Sequence, residues 1–123
     1  MSWPVPQESF LSPHFQRREL ECPCCHELGL DPLLLVGLEW LRGLVEQSIK
    51  VNSGYRCIAH NQAIGGEANS QHLEGRAADI VVAGMTPIQL KNWAQEIPYF
   101  NHGGIGLYQT FLHVDVRRTR ARW

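Results

Sequence analysis

The sequence has no excess of charge of either sign and no long hydrophobic run. Eleven Lys and Arg residues face twelve Asp and Glu residues, for a formal net charge of −1. The broad basic field typical of nucleic-acid-binding proteins is therefore missing. No window reaches the roughly 18 consecutive apolar residues of a membrane-spanning helix. The opening MSWPVPQESF has no basic stretch followed by an apolar run, so we expect no secretory signal. Nucleic acid and membrane insertion are excluded from the expected partners.

Internal repeats and low-complexity segments are also missing. With 123 residues, of which 44% are apolar and 19% charged, the chain has the size and composition of a single domain, 1–123. We expect this domain to act as a monomer. Helix starts are marked by a capping residue followed by proline at Ser12, at Asp31 and at Thr86. Helical spacing then predicts two buried sets, Leu34, Leu38, Leu41 and Val45 in one helix and Ile88, Leu90, Trp93, Ala94 and Ile97 in another.

Strand-like segments occupy residues 49–53, 77–82, 103–108 and 111–117. The last two are joined by Gln109 and Thr110 alone, which predicts an antiparallel hairpin. A helix-rich first half, then a small sheet and one further helix, indicate an α+β fold with a mainly antiparallel sheet flanked by helices.

The stretch NSQHLEGRAADIVV, residues 69–82, places His72 and Asp79 on either side of a turn that enters an apolar strand. A buried carboxylate is costly unless it is paired or binds a metal. If this strand neighbours 111–117, Asp79 and His113 share one face of the sheet, with His72 arriving from the preceding loop. Two nitrogen donors and one oxygen donor describe a catalytic zinc site. A structural histidine–aspartate pair is the alternative.

SQHLEGRAADI resembles the Ser-x-His-x-x-Gly-x-Ala-x-Asp signature of the D-Ala-D-Ala metallopeptidases, the peptidase M15 family. The residues on this pattern are Ser70, His72, Gly75, Ala77 and Asp79. VNSGYR and GGIGLYQTFLHVDVR resemble the family's preceding strand and its closing hairpin. LSPHFQRRELEC is similar to the start of its compact branch in phage lysis proteins and cell-wall enzymes. The resemblance covers about residues 12–123 and implies a hedgehog-like zinc peptidase fold.

The resemblance implies roles for individual residues. It makes His72, Asp79 and His113 the ligands of one catalytic Zn²⁺ ion. Arg56 matches the arginine that reaches the substrate carbonyl and stabilises the developing oxyanion, and Ser70 either binds substrate or caps the turn before His72.

The sequence departs from the family where the general base is expected. The family places a glutamate three residues before the last zinc histidine, and this chain has Thr110 there. Asp115 is the nearest carboxylate, and it either accepts the proton or orients a ligand histidine. Lesser candidates for proton transfer are Glu74, His60 and His102.

The function implied by the resemblance is zinc-dependent hydrolysis of peptide bonds in the stem or cross-bridge peptides of peptidoglycan. The enzyme would be a D-Ala-D-Ala carboxypeptidase or an endopeptidase of endolysin type. Without a secretory signal, we expect synthesis in the cytoplasm and action at the cell wall after holin-type release or within a phage particle. The alternative is a non-catalytic zinc-binding module of a phage tail or wall-associated assembly, because the related hedgehog domain acts by binding and Thr110 replaces the glutamate.

Cysteine is concentrated in one place. Three of the four cysteines lie in ECPCCHE at positions 22, 24 and 25, and Cys57 stands alone. A closed zinc site usually draws on two ligand pairs with short internal spacing, and the second pair is missing here. The pattern leaves a structural zinc site, a disulfide and free thiols open, and free thiols are the state expected in a reducing cytosol.

Overall fold

The structure, a computed structural model, describes residues 10–123, so the first nine residues of the expected domain lie outside the described part. The elements in chain order are β1 (Phe10–Ser12), β2 (Phe15–Gln16), α1 (Arg17–Leu20), α2 (Pro32–Val45), β3 (Ile49–Ser53), α3 (Ile58–Ala63), a 3₁₀ helix (Gln71–Glu74), β4 (Ala77–Val82), α4 (Pro87–Ala94), α5 (Pro98–Asn101), β5 (Gly104–Leu107), β6 (Leu112–Asp115) and β7 (Ala121–Arg122). No helix among these is long and apolar enough to cross a membrane.

The main sheet has five strands in the order β3-β4-β6-β5-β7. Strand β6 pairs antiparallel with both β4 and β5, and the C-terminal β7 is added parallel to β5. The β5–β6 hairpin and the neighbouring position of β4 were both predicted, and Asp79 lies directly opposite His113. The α+β class with a mainly antiparallel sheet is confirmed.

One face of the sheet packs on the helices. Leu34, Leu38, Leu41 and Val45 of α2 are buried as predicted, against sheet residues Ala78, Ile80, Val82, Leu112 and Val114. Each large apolar side chain buried in this way contributes about 1.5–3 kcal/mol. Because side chains alternate along a strand, the neighbouring Asp79 and His113 are directed to the opposite face of the sheet.

Two of the three proline-marked helix starts are confirmed. The Asp31 side chain caps α2 by accepting a hydrogen bond from Leu33 N at 2.9 Å. Thr86 caps α4, where its Oγ1 accepts from Gln89 N at 3.2 Å and Gln89 Oε1 accepts from Thr86 N at 2.9 Å. Each cap satisfies an amide that the helix leaves without an internal partner.

The third predicted start, at Ser12, is wrong. Ser12 ends strand β1, and the helix begins only at Arg17. Ser12 Oγ donates to Glu39 Oε2 at 2.6 Å instead of capping a helix, and the same oxygen accepts from His14 N at 2.8 Å. The β1–β2 hairpin that results places the Phe15 side chain in the core.

Three of the five side chains predicted to be buried in and just after α4 are buried. Leu90 and Ala94 of α4, and Ile97 beyond it, are buried, but Ile88 is 59% exposed and Trp93 is 40% exposed. Ile88 lies two residues before Leu90, which is about 200° around the helix. The short α4 therefore buries a narrower stripe than its apolar content suggested.

Candidate metal centre

His72 enters the site from the 3₁₀ helix that precedes β4. Ser70 caps this helix, with its Oγ accepting from His72 N at 3.2 Å, and Gly75 ends it in the left-handed conformation at φ 69°. The His72 ring is buried, and its Nδ1 lies 2.7 Å from Gly54 O. A carbonyl can only accept, so Nδ1 carries the proton and Nε2 keeps a free lone pair.

Asp79 and His113 face each other across the β4–β6 ladder. Asp79 Oδ1 lies 3.3 Å from His72 Nε2 and 3.0 Å from His113 Nδ1. The ring centroids of the two histidines are 5.2 Å apart. The structure thus brings together the three residues that the signature and the hairpin predicted as ligands, and all three are buried.

The donor set fits a zinc ion. Nε2 of His72, a carboxylate oxygen of Asp79 and Nδ1 of His113 lie within 4.8 Å of one another. Neighbouring ligand atoms around a tetrahedral zinc ion, with bonds of about 2.0–2.2 Å, are about 3.4 Å apart. A divalent metal between the two ring lone pairs and the carboxylate would bind all three donors at once.

Asp115 lies behind His113. Its Oδ2 is 2.8 Å from His113 Nε2, which leaves Nδ1 of that ring to face Asp79. Gly104 N donates to Asp115 Oδ1 at 2.9 Å, and a side chain at position 104 would collide with this carboxylate. Arg117 Nη2 donates to Oδ2 at 2.7 Å. Asp115 is fully buried and does not line the pocket, a position that favours the orienting role over proton acceptance.

Both buried carboxylates are held in their ionised form. Burial by itself would raise the pKa of Asp79, but the His113 and His72 rings, when both of their nitrogens are protonated, donate to this carboxylate and hold that pKa well below its usual range. Burial opposes ionisation of Asp115 as well, but His113 and Arg117 hold the pKa of that carboxyl below its usual range. For His113, burial lowers the pKa, but the bonds to Asp115 and Asp79 outweigh it and the net shift is upward.

Arg56 lies beside the three candidate ligands. Its Nε donates to Ser53 Oγ at 3.0 Å, Nη1 to Asn61 Oδ1 at 3.3 Å, and Nη2 to Asp79 Oδ2 at 3.4 Å. The β3–β4 register shifts between Val51 and Ser53, an irregularity that re-aims side chains near functional sites. Three separate acceptors therefore fix the guanidinium on the edge of the site.

The candidate ligands line an open pocket of about 600 Å³, together with Arg56, Ser70 and Glu67. Among the described residues, Glu67 is the only carboxylate besides Asp79 that lines the pocket, and no pattern in the sequence predicted it. Thr110 does not line the pocket. The lesser candidates for proton transfer, Glu74, His60 and His102, do not line it either.

An aromatic wall formed by Tyr108, Phe111 and Trp123 completes the pocket. The Tyr108 and Phe111 rings stack with centroids 4.4 Å apart, and Trp123 Nε1 donates to Tyr108 Oη at 2.9 Å. The Trp123 ring lies 4.9 Å from that of His113. This wall depends on the docking of β7, which no local sequence signal indicated.

Comparison with known proteins gives the same family as the sequence signature. A sequence model of the family described as Peptidase M15 matches residues 13–115. The "Probable peptidoglycan L,D-endopeptidase MepK" of Haemophilus influenzae is 36% identical over 86 residues, covering 64% of this chain and 45% of that protein. This chain therefore spans less than half the length of that relative.

Among solved structures, the L-Ala D-Glu endopeptidase ChiX of Serratia marcescens matches with a TM-score of 0.55 at 17% identity, covering 72% of this chain and 81% of the other. At this identity the match establishes a shared fold. The family match includes the 3₁₀ helix, the β5–β6 hairpin and all three candidate ligands. The chain belongs to the peptidase M15 family.

Proposed function

We propose that this protein is a zinc-dependent endopeptidase that hydrolyses peptide bonds in the stem or cross-bridge peptides of peptidoglycan. The observation that carries the proposal is the convergence of His72, Asp79 and His113 in a pocket beside Arg56. Three protein ligands with access to solvent are typical of catalytic zinc sites, whereas structural sites are closed by four.

In this proposal His72, Asp79 and His113 hold the metal and Asp115 fixes the ring of His113. A zinc ion held there would lower the pKa of a water molecule and polarise a carbonyl. Gly54 O and the Asp115 carboxylate each accept a hydrogen bond from one histidine ring, so that the other nitrogen of each ring presents a lone pair to the same point. Contacts of this kind orient ligand histidines and raise their basicity.

The bond that is cut is proposed to lie between an L- and a D-residue. The Haemophilus influenzae relative is named as an L,D-endopeptidase, and its similarity covers 64% of this chain. The open pocket and its aromatic wall suit a peptide that continues on both sides of the scissile bond. Gln71 lines the pocket, and its Oε1 is the buried side-chain acceptor without a partner among the described residues, so a rotation of this side chain towards the pocket would let it accept from a substrate N–H.

Ser70 is proposed to act as the cap of the 3₁₀ helix. Its Oγ already accepts from His72 N, and this bond sets the position of a candidate ligand. The hydroxyl proton remains free to meet a substrate at the pocket lining.

The protein is proposed to act at the bacterial cell wall, reached by holin-type release or within a phage particle. Its residues are proposed to form a single domain, because the described helices and the main sheet share one core, and this domain is proposed to act as a monomer.

Replacement of Arg56 by alanine is expected to lower kcat by about 10²–10³-fold, since a fixed donor to the developing oxyanion is lost. Arg56→Lys retains the charge but not the three-way anchoring by Ser53, Asn61 and Asp79, and should recover part of the activity. Steady-state kinetics at saturating zinc measure both effects. Unchanged kcat in Arg56→Ala with full zinc content would show that the guanidinium has no part in the reaction.

Glu67 is proposed to accept the proton of the attacking water, in place of the family glutamate that Thr110 replaces. Glu67→Gln is expected to lower kcat by about 10²–10⁴-fold. Glu74→Gln is the matched control, because Glu74 is an exposed carboxylate outside the pocket. Equal activity of the two variants would eliminate Glu67 as the base.

The test of the proposed function is mass spectrometry of purified muropeptides, monomeric and cross-linked, after incubation with zinc-loaded protein or with His113→Ala. We expect cleavage by the native protein alone, with product masses that assign the bond to an L–D junction. Loss of a terminal D-alanine only would identify a carboxypeptidase. If all muropeptides remain intact while the protein holds zinc stoichiometrically, the protein is a non-catalytic zinc-binding module. This second candidate function is favoured by Thr110, which stands where the family has its glutamate base.

A further inference from the structure

A cluster of four cysteine thiols lies outside the pocket. Sγ atoms of Cys22, Cys24, Cys25 and Cys57 all lie within 4.8 Å of one another. Cys22 Sγ is 3.5 Å from Cys24 Sγ and 3.7 Å from Cys57 Sγ, and the Cys24–Cys57 separation is 3.3 Å. Cys57, which stands alone in the sequence, is thus the missing partner of the ECPCCHE segment.

The three separations among Cys22, Cys24 and Cys57 are within about 0.5 Å of the edges of a zinc–thiolate tetrahedron. With Zn–S bonds of about 2.3 Å, neighbouring sulfur atoms are about 3.8 Å apart. All four cysteines are free thiols in the structure. A disulfide, with sulfur atoms about 2.05 Å apart, would use only two of these cysteines. The other two thiols would remain in contact with the disulfide without a bonding partner. Four sulfur donors at one point are the ligand set of a closed structural zinc site.

The backbone around the cluster brings the sulfur atoms together. A tight turn is closed by Cys22 N donating to Glu27 O and by His26 N donating to Cys22 O, both at 2.8 Å. At its end His26 adopts a left-handed conformation, φ 63°. The His26 ring is directed to Glu21, whose Oε1 lies 3.5 Å from Nδ1. The geometry therefore favours four thiolates over three thiolates and a histidine.

Backbone amides are directed at two of the sulfur atoms. Cys57 N donates to Cys22 Sγ at 3.5 Å, and His60 N donates to Cys57 Sγ at 3.4 Å. Such bonds favour the thiolate, which is the form that binds metal. Cys22 is buried, whereas Cys24 and Cys25 are exposed, so one side of the cluster is open for an ion to enter.

We infer that Cys22, Cys24, Cys25 and Cys57 bind a structural zinc ion, separate from the ion proposed for the pocket. None of these cysteines lines the pocket. The thiol site ties the turn at residues 22–25 to the loop at residues 54–57, where Gly54 O accepts from the His72 ring and Arg56 faces Asp79. Zinc in the thiol site thus fixes the loop that orients one candidate ligand of the pocket and carries the arginine.

The test is zinc content and cobalt spectroscopy of the full chain, purified under reducing conditions. His113→Ala removes a pocket ligand, and the Cys24→Ser, Cys25→Ser double variant removes two exposed thiols. We expect about two zinc ions per native chain and about one in each variant. After cobalt exchange, intense thiolate-to-cobalt charge-transfer bands should appear in the native protein and in His113→Ala but not in the double variant.

A second measurement covers the case in which the double variant does not fold. A mercurial thiol reagent added to folded His113→Ala should release its remaining zinc in step with modification of the cysteines. The inference is overturned if His113→Ala holds no zinc and shows no thiolate–cobalt bands, or if mass spectrometry of the purified chain finds these cysteines oxidised to disulfides. Failure of muropeptide cleavage would leave this result unaffected, because zinc content and cobalt spectra of the thiol site are measured without any substrate.

Discussion

Replacing Asp79 with alanine is expected to abolish metal binding in the pocket and to reduce peptide hydrolysis by about a thousandfold or more. Asp79 Oδ1 is the atom that lies within 3.3 Å of both histidine rings, and Oδ2 accepts from Arg56. Without the carboxylate, two neutral rings and an unpaired guanidinium remain around the position of the ion. Loss of several kcal/mol of transition-state stabilisation, at about 1.4 kcal/mol for each factor of ten, accounts for the size of the effect.

The measurement is zinc stoichiometry together with the rate of muropeptide cleavage at rising zinc concentration. Glu96→Ala serves as the matched control, because Glu96 is an exposed carboxylate outside the pocket and should leave both quantities unchanged. Near-ultraviolet circular dichroism establishes that Asp79→Ala is folded. Full activity of folded Asp79→Ala would mean that the pocket does not contain the reaction centre.

Asp115→Asn is expected to weaken zinc binding in the pocket by about 10–100-fold and to destabilise the fold. The carboxylate of Asp115 is fully buried and accepts from His113, Gly104 and Arg117. An amide of the same shape has one accepting oxygen and places a donor where a second acceptor is needed. Breaking a buried pair by removing one partner costs about 3–5 kcal/mol, so the melting temperature should fall as well.

Kinetics of this variant separate the two roles that the sequence allowed for Asp115. If it orients His113, saturating zinc restores kcat to near the native value, and the shape of the pH–rate profile is retained. If it is the general base, kcat stays low at every zinc concentration and the acidic limb of the profile disappears. The position of Asp115 behind the ring of His113, away from the pocket, leads us to expect the first result.

Local signals in the sequence predicted strands β3 to β6 and helices α2 and α4, but not the shorter elements around them. Capping residues before proline marked α2 and α4 because each cap acts within three residues of itself. The signature at Ser12 was the same, but Ser12 binds Glu39, which is 27 residues away in the chain. A pattern that is read locally carries no information about such a partner. The prediction that Ile88 is buried was wrong for a similar reason. The elements that pack against a helix, and not the apolar character of its residues alone, determine which stripe of the helix is buried.

In the candidate site, too, residues placed by local patterns were predicted, whereas residues placed by contacts between distant parts of the chain were not. The alternation of β4 and β6 and the hairpin between β5 and β6 were enough to place Asp79 opposite His113. Glu67 was not found, because its place in the pocket depends on how its loop folds back towards the sheet. Cys57 lies 35 residues from Cys22 along the chain, so ligand spacing alone did not pair it with the other cysteines.

The central claim is that His72, Asp79 and His113 hold the zinc ion of an active peptidase. Anomalous diffraction at the zinc edge, from crystals of protein that has first been assayed on muropeptides, tests it most directly. We expect an anomalous peak in the pocket about 2.0–2.2 Å from His72 Nε2, a carboxylate oxygen of Asp79 and His113 Nδ1. Active protein with no metal peak among these three side chains would contradict the account.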